Sequence, residues 1–204
     1  MTRLPLFLAL IVPLFLEGQE RVADAPENIR PILIGATIPN LSLADLDGMP
    51  VRLMDLVSRK PTILIYYRGG WCPFCNRQLQ QLQGLEPMLE QLGFQMIAIS
   101  ADRPSKLKES LGKHSISYIL LSDSSMTGAK MMGLAWQMGG PRVTRYRLMN
   151  MDVESDSGMD HHILPVPGVF ILNRKGVVKF QYVNPNHRER LSSAVLEAAA
   201  REVR

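Results

Sequence analysis

The chain predicts an α/β fold, a central mixed β-sheet flanked by helices, and three observations carry that expectation. An unbroken apolar run rich in β-branched residues, Thr62 to Tyr67, passes directly into a leucine-striped helical pattern. Two further apolar runs, Phe94 to Ser100 and Tyr118 to Leu121, alternate with helical stretches. A last pair, Val169 to Asn173 and Val177 to Val183, is joined by Arg174-Lys175-Gly176 and followed by a helical pattern, which reads as a hairpin and a closing helix. With 204 residues, 46% of them hydrophobic and 21% charged, the chain can bury one sizeable core.

Residues 1 to 25 are set apart from that core. Arg3 followed by the apolar run Leu4 to Leu16 has the charged start and short hydrophobic middle of a secretory signal. An exported protein, periplasmic or otherwise extracytoplasmic, is the expectation, with an uncleaved membrane tether through residues 4–16 as the alternative. Residues 26–204 then form one domain. The net charge of +4 is spread along the chain without a basic run, which gives no footing for nucleic acid.

The domain begins irregularly, from Pro26 to Pro39. Leu41-Ser42-Leu43 and Val51-Arg52-Leu53 then alternate about Asp47-Gly48, the signature of an N-terminal β-hairpin extension. Met54 to Ser58 is a short turn or helix, and Thr62 to Tyr67 is the strand that reaches the cysteines. Asn76 to Leu92 repeats leucine and methionine at helical spacing, and Pro87 kinks or interrupts it, because proline removes a ladder hydrogen bond. Pro104 to His114 is an amphipathic helix; Ser124 to Met132 is a short one that Gly133 stops. Leu134 to Leu164 has little periodicity. It holds a basic cluster, Arg142, Arg145 and Arg147, and an acidic run, Asp152, Glu154 and Asp156, and reads as a long loop covering the reactive site or as a partly helical excursion packed by Met149 and Met151 with no role in binding. The closing helix is expected from Arg188 to Val203.

Both cysteines of the chain lie in Tyr66-Tyr67-Arg68-Gly69-Gly70-Trp71-Cys72-Pro73-Phe74-Cys75, where the strand turns into the helix. Pro73 suits the first helical position, since its missing N–H costs nothing there. Free N–H groups and the positive helix end favour thiolate at Cys72, below the free value of about 8.5. Cys75, one turn along, is placed to attack a bond that Cys72 has formed. A zinc site is disfavoured because four ligands are usual and no second cysteine pair exists. A static disulfide across two residues closes too small a loop to stabilise much. Redox chemistry of a Cys72–Cys75 pair, with no organic cofactor, is the expectation.

The order of elements, Tyr67 to Cys75, and His162-Ile163-Leu164-Pro165-Val166-Pro167-Gly168-Val169-Phe170-Ile171 resemble the peroxiredoxin-like branch of the thioredoxin fold, the alkyl hydroperoxide reductase and thiol-specific antioxidant family, over residues 33 to 204. The resemblance implies Cys72 as nucleophile and Cys75 as resolving thiol, a thioredoxin-like protein or other thiol as reductant, and a disulfide or hydroperoxide as substrate. The ligand set departs from the peroxidases. They carry Thr or Ser three residues before the nucleophile, Pro four residues earlier still, and Arg just before the strand at Val169; here stand Gly69, Ile65 and Pro167. Trp71, Cys72, Cys75 and Pro167 match thioredoxin-like oxidoreductases instead, whose proline at that place is cis. Thiol–disulfide exchange is therefore the primary expectation, with Trp71, Val166 and Pro167 framing a groove, and hydroperoxide reduction the alternative, with Arg68 or Arg77 replacing the missing ligands. A third class follows from thioredoxin-fold copper-delivery proteins, which bind through two cysteines and a histidine; Cys72, Cys75 and His162 would be that set. His114 and His187 read as surface positions.

Overall fold

A computed structural model describes residues 22–114 and 116–203. The expected export signal at Leu4 to Leu16 lies outside the described residues. Among the described residues no helix is long and apolar enough to cross a membrane.

The hairpin forms as expected from β1 (Ser42–Ala44) and β2 (Pro50–Arg52), and its turn places Gly48 at φ +80°, a conformation that glycine adopts without strain. After α1 (Leu53–Val57) come β3 (Thr62–Tyr67), α2 (Pro73–Gln83), α3 (Glu86–Gln91), β4 (Gln95–Ser100), α4 (Pro104–His114), β5 (Ile119–Ser122) and α5 (Thr127–Met131). Then follow β6 (Ala135–Gln137), α6 (Gly140–Leu148), α7 (Val153–Ser157), β7 (Ile163–Pro165), β8 (Gly168–Leu172), β9 (Val178–Val183) and α8 (Ser193–Glu202). Among the described residues, one sheet runs in the order β2-β1-β5-β4-β3-β8-β9, with β3, β4 and β5 parallel and β1, β8 and β9 antiparallel to their neighbours. The strands β6 and β7 pair with each other apart from it.

All six residues of β3 are buried, and their alternation divides the core. Ile63, Ile65 and Tyr67 meet Leu79 and Leu82 of α2, Leu89 of α3, Leu107 of α4 and Leu196 of α8 on one face. Leu64 and Tyr66 meet α1, α5, the β6–β7 pair and the two helices between them on the other. Helices thus cover both faces of a mixed sheet, as the sequence predicts. Truncating a fully buried leucine such as Leu79 costs about 2–5 kcal/mol, and here it would also loosen the helix that carries both cysteines.

Several local expectations change. Pro87 does interrupt the long helical pattern, and it does so from the first turn of α3, where its missing N–H is harmless. Residues 134–164 are not a structureless loop: β6 and β7 pair as Ala135 with Pro165 and Trp136 with Leu164, α6 starts at Gly140-Pro141, and Asp152 caps α7 by accepting from the Ser155 N–H at 3.0 Å. The closing helix begins at Ser193 rather than Arg188. Asn184 and Asn186 side chains accept from N–H groups two residues on and hold turns through that stretch, and the Ser192 hydroxyl caps the helix at Val195. Ala23 forms a parallel bridge with Trp136, so packed chain starts before residue 26. No peptide bond among the described residues is cis. Val166 donates to the Leu134 carbonyl at 2.8 Å, and the chain passes straight from β7 through a trans Pro167 into β8.

Candidate active site

The two cysteines stand where β3 gives way to α2. Cys72 is the residue that caps α2, its carbonyl accepting from the Asn76 N–H at 3.0 Å, and Pro73 is the first helical residue. Cys75 follows one turn later, and both are free thiols, 1% and 0% exposed. Their environments separate them. The Cys75 thiol donates to Cys72, and this bond, joined by the Arg68 charge and the Cys75 backbone N–H, brings the Cys72 thiol down to about 6 against the opposing effect of burial. Burial, then the neighbouring Cys72, drives Cys75 well above the ordinary thiol value, with Arg190 opposing. The pair therefore ionises once, with the thiolate on Cys72, while Cys75 keeps its own proton.

Arg68 is the cation built for that thiolate. It is 4% exposed, with Nη1 4.0 Å from Cys72 Sγ. Its Nη2 donates to the Tyr146 hydroxyl, and its guanidinium lies 4.8 Å from the centre of the Trp71 ring, which itself tilts against Tyr146 at 5.9 Å. The segment between residues 134 and 164 thus supplies a wall of the site through Tyr146 of α6. A second arginine attends the second sulfur: Arg190 Nη2 is 3.3 Å from Cys75 Sγ.

The two glycines before Trp71 are required by what surrounds them. Gly69 has φ +153°, and a β-carbon there would lie 2.3 Å from Trp71 Nε1 and 2.5 Å from Asp102 Oδ1. A β-carbon on Gly70 would lie 2.0 Å from Ser110 Oγ. No threonine or serine hydroxyl can stand at position 69 without displacing Trp71 and Asp102. Asp102, at the end of β4, instead braces this turn by accepting from the Gly70 N–H at 2.6 Å, and burial pushes its carboxyl up to about 7.

Cys72 lines a cavity of about 630 Å³. Of the residues singled out from the sequence, Arg68, Trp71, Pro73, Val166 and Pro167 line it too, while Cys75 lies behind Cys72. Arg77 is exposed on α2 and takes no part. His162 is drawn elsewhere, its Nε2 2.8 Å from Glu154, and no group of three His, Cys, Asp or Glu side chains among the described residues is placed to hold a metal. The copper-binding set of Cys72, Cys75 and His162 is therefore not assembled. His187 is no ordinary surface residue: it sits edge-on to Phe74 at 5.7 Å and lines the cavity, and burial with the surrounding arginines lowers its pKa to about 4. The side chain of His114 lies outside the described residues. Tyr146, Asp102, His187 and Arg190 are the site residues that sequence reading missed; the Asn184-Pro185-Asn186 turn signature was the available signal for the last two.

Comparison with known proteins adds the following. Residues 34–181 match the model of the AhpC/TSA family. Peroxiredoxin bcp1 of Schizosaccharomyces pombe is 28% identical over 114 residues, a match spanning 56% of this chain and 58% of that protein's own length. Peroxiredoxin Bcp of Escherichia coli is 28% identical over 106 residues, 52% of this chain and 67% of that one. Among solved structures, reduced Prx3 of Vibrio vulnificus in complex with hydrogen peroxide superposes with a TM-score of 0.68 at 19% identity, covering 83% of this chain and 99% of that one. Peroxidoxin BcpB of Mycobacterium tuberculosis superposes with a TM-score of 0.64 at 20% identity, covering 84% and 97%. At these identities the structural likeness is one of fold, and that fold is thioredoxin-like.

Proposed function

This chain belongs to the AhpC/TSA family, and we propose that it is a thiol-based oxidoreductase in which Cys72 is oxidised by a small hydroperoxide and Cys75 closes the disulfide. The observation that carries the choice of oxidant is the position of Cys72, 1% exposed and set into the wall of a partly open cavity. A small molecule fits such a place, whereas a protein disulfide must bring its own sulfur into line with Cys72. The names of the relatives favour peroxide as well.

The steps follow from the thiolate. Cys72 Sγ attacks the terminal peroxide oxygen, the O–O bond breaks, and the alkoxide leaves and takes a proton from solvent. Cys72 is then a sulfenic acid. Cys75 loses its proton, its sulfur attacks Cys72, and hydroxide departs with that proton as water. The sum is one hydroperoxide and two thiols converted to an alcohol, water and the Cys72–Cys75 disulfide. Arg68 stabilises the Cys72 thiolate and holds it toward the cavity; Arg190 does the same for Cys75 as it ionises. Two electrons from a thiol donor, such as a thioredoxin-like protein, restore the pair. This chemistry calls for no organic cofactor.

A second reading, exchange with disulfides, keeps one specific support: Trp71 precedes a Cys-x-x-Cys pair at a helix start, and its indole borders the cavity. Export remains part of the proposal on the strength of Arg3 and Leu4 to Leu16. An exported chain needs a reductant that works outside the cytoplasm. The Cys75→Ser variant tests the oxidant directly. Treated with one equivalent of hydroperoxide, it gains one oxygen atom on Cys72 by mass spectrometry; absence of that oxygen, with covalent capture of disulfide-bearing proteins instead, selects the second reading.

A further inference from the structure

The cavity is far larger than hydrogen peroxide and far more positive than a thiolate alone needs. Arg68 occupies its floor, and Arg142 and Arg145 of α6 and Arg188 of the turn before α8 also line it; among the described residues that do so, Glu27 is the one carboxylate. Among the described residues none of these four arginines has an ion-pair partner. Arg142 stacks at 4.8 Å on the buried ring of Trp136, and Arg188 lies 6.0 Å from the ring of Phe74. Their neighbour Arg147, on the same helix, behaves in the ordinary way and pairs with Glu154 at 3.4 Å.

The acids of the adjoining run are all committed elsewhere. Asp152 caps α7, Glu154 meets Arg147 and His162, and Asp156 lies 3.7 Å from Lys106. Positive charge is thus concentrated in a concave space, and among the described residues Glu27 is the one acid that lines it. A guanidinium gains most from a planar anion that it meets with two N–H groups. The His187 ring reports the same field, since the nearby arginines help hold it neutral down to about pH 4. Apolar surface lies beside the charge, in Trp136, Phe74, Met149 and Met151.

Building on the reading of Cys72 as the reacting thiol, we infer that Arg142, Arg145 and Arg188 form a subsite for the carboxylate of a small organic molecule whose apolar body lies against Trp136, Phe74 and Met149 while its reactive end meets Cys72. Two sources share that chemistry. A carboxylated hydroperoxide would be the oxidant; alternatively two molecules of a carboxylated thiol would be the reductant, the first opening the Cys72–Cys75 bond as a mixed disulfide and the second releasing it as the symmetrical disulfide with both protein thiols restored. A cavity of this volume is of the size that holds one molecule of that kind.

The test separates binding from chemistry. With the reduced full chain, isothermal titration compares para-isopropylbenzoate with para-isopropylbenzyl alcohol, which are inert toward thiols. The benzoate is expected to bind about tenfold tighter, a preference that shrinks in the Arg142→Gln/Arg145→Gln variant and persists in Arg147→Gln. Matched pairs then identify the source: cumene hydroperoxide against its para-carboxylate for oxidation, and mercaptoethanol against mercaptosuccinate for reduction of the disulfide. The carboxylated member of at least one pair gains in kcat/KM, and the double variant erases the ratio. Equal binding of benzoate and alcohol, or a preference that survives the double variant, overturns the subsite. If the benzoate binds through the arginines yet no hydroperoxide oxidises Cys72, the subsite stands and the peroxide reading falls.

Discussion

Arg190 Nη2 lies 3.3 Å from Cys75 Sγ, a contact between residues 115 positions apart, so the Cys75 sulfur has its own cation just as Cys72 has Arg68. Burial makes Cys75 a reluctant acid, yet in the proposed cycle it must ionise both to close the disulfide and to leave when that bond is reduced.

Arg190→Gln should therefore slow disulfide closure by about tenfold, or ~1.4 kcal/mol. The first oxidation of Cys72 should fall less. Single-turnover mixing with hydroperoxide, quenched and read by mass for sulfenic acid against disulfide, would show sulfenic acid accumulating in the variant. Equal loss in both steps would mean that Arg190 merely supports the fold.

The pH dependence of Cys72 has a defined sign. The thiolate is the nucleophile, so alkylation by iodoacetamide should rise with pH through a midpoint near 6 and level off above about 7. Arg68→Gln removes the nearest positive charge and should move that midpoint upward by about one unit. An unchanged midpoint would assign the low value to the Cys75 bond and the helix end alone.

Restoring the threonine usual in peroxidatic sites should harm this one. Gly69→Thr places a β-carbon against Trp71 and Asp102 in a backbone conformation that side chains rarely adopt. The cost is about 1–3 kcal/mol of stability by urea titration, with slower reaction of Cys72. A stable and faster variant would contradict the packing described.

Asp102 gives a stability signature. Its carboxyl titrates at about 7 in the folded chain, above the unfolded value, so the folded state binds more protons between roughly pH 4 and 7. Stability from this group is present at low pH and is lost as pH rises through 7. Asp102→Asn keeps an acceptor for the Gly70 N–H and should flatten that decline, measured as urea midpoints at pH 5 and pH 8.

Much of this was legible in the sequence where the signal is local. β3 has the bounds that its apolar run implied, the hairpin turns at Asp47-Gly48 as read, and Cys72 and Pro73 stand at the start of α2 as proline chemistry requires. Some elements escaped notice: β6 and α7 span too few residues for periodicity to register, and α6 buries only Val143 and so shows no apolar stripe, although Gly140-Pro141 and Asp152 carried start signals. Long-range convergence escaped as well. Arg190 and Tyr146 reach the cysteines only through the tertiary fold, and Asp102 braces Gly70 from the end of a different strand. Matching Pro167 to a thioredoxin-like proline implied a cis bond, whereas the bond is trans where the chain leaves the β6–β7 pair for the central sheet.

The most direct measurement is the rate at which the pre-reduced chain is oxidised by hydrogen peroxide and by cumene hydroperoxide in stopped flow, followed by tryptophan fluorescence, with the product mapped by mass. A rate constant well above that of a free thiolate of matched pKa, ending in the Cys72–Cys75 disulfide, is the predicted result. A rate no faster than that free thiolate, alongside rapid reaction with a protein disulfide, would contradict hydroperoxide as the oxidant and assign the site to disulfide exchange.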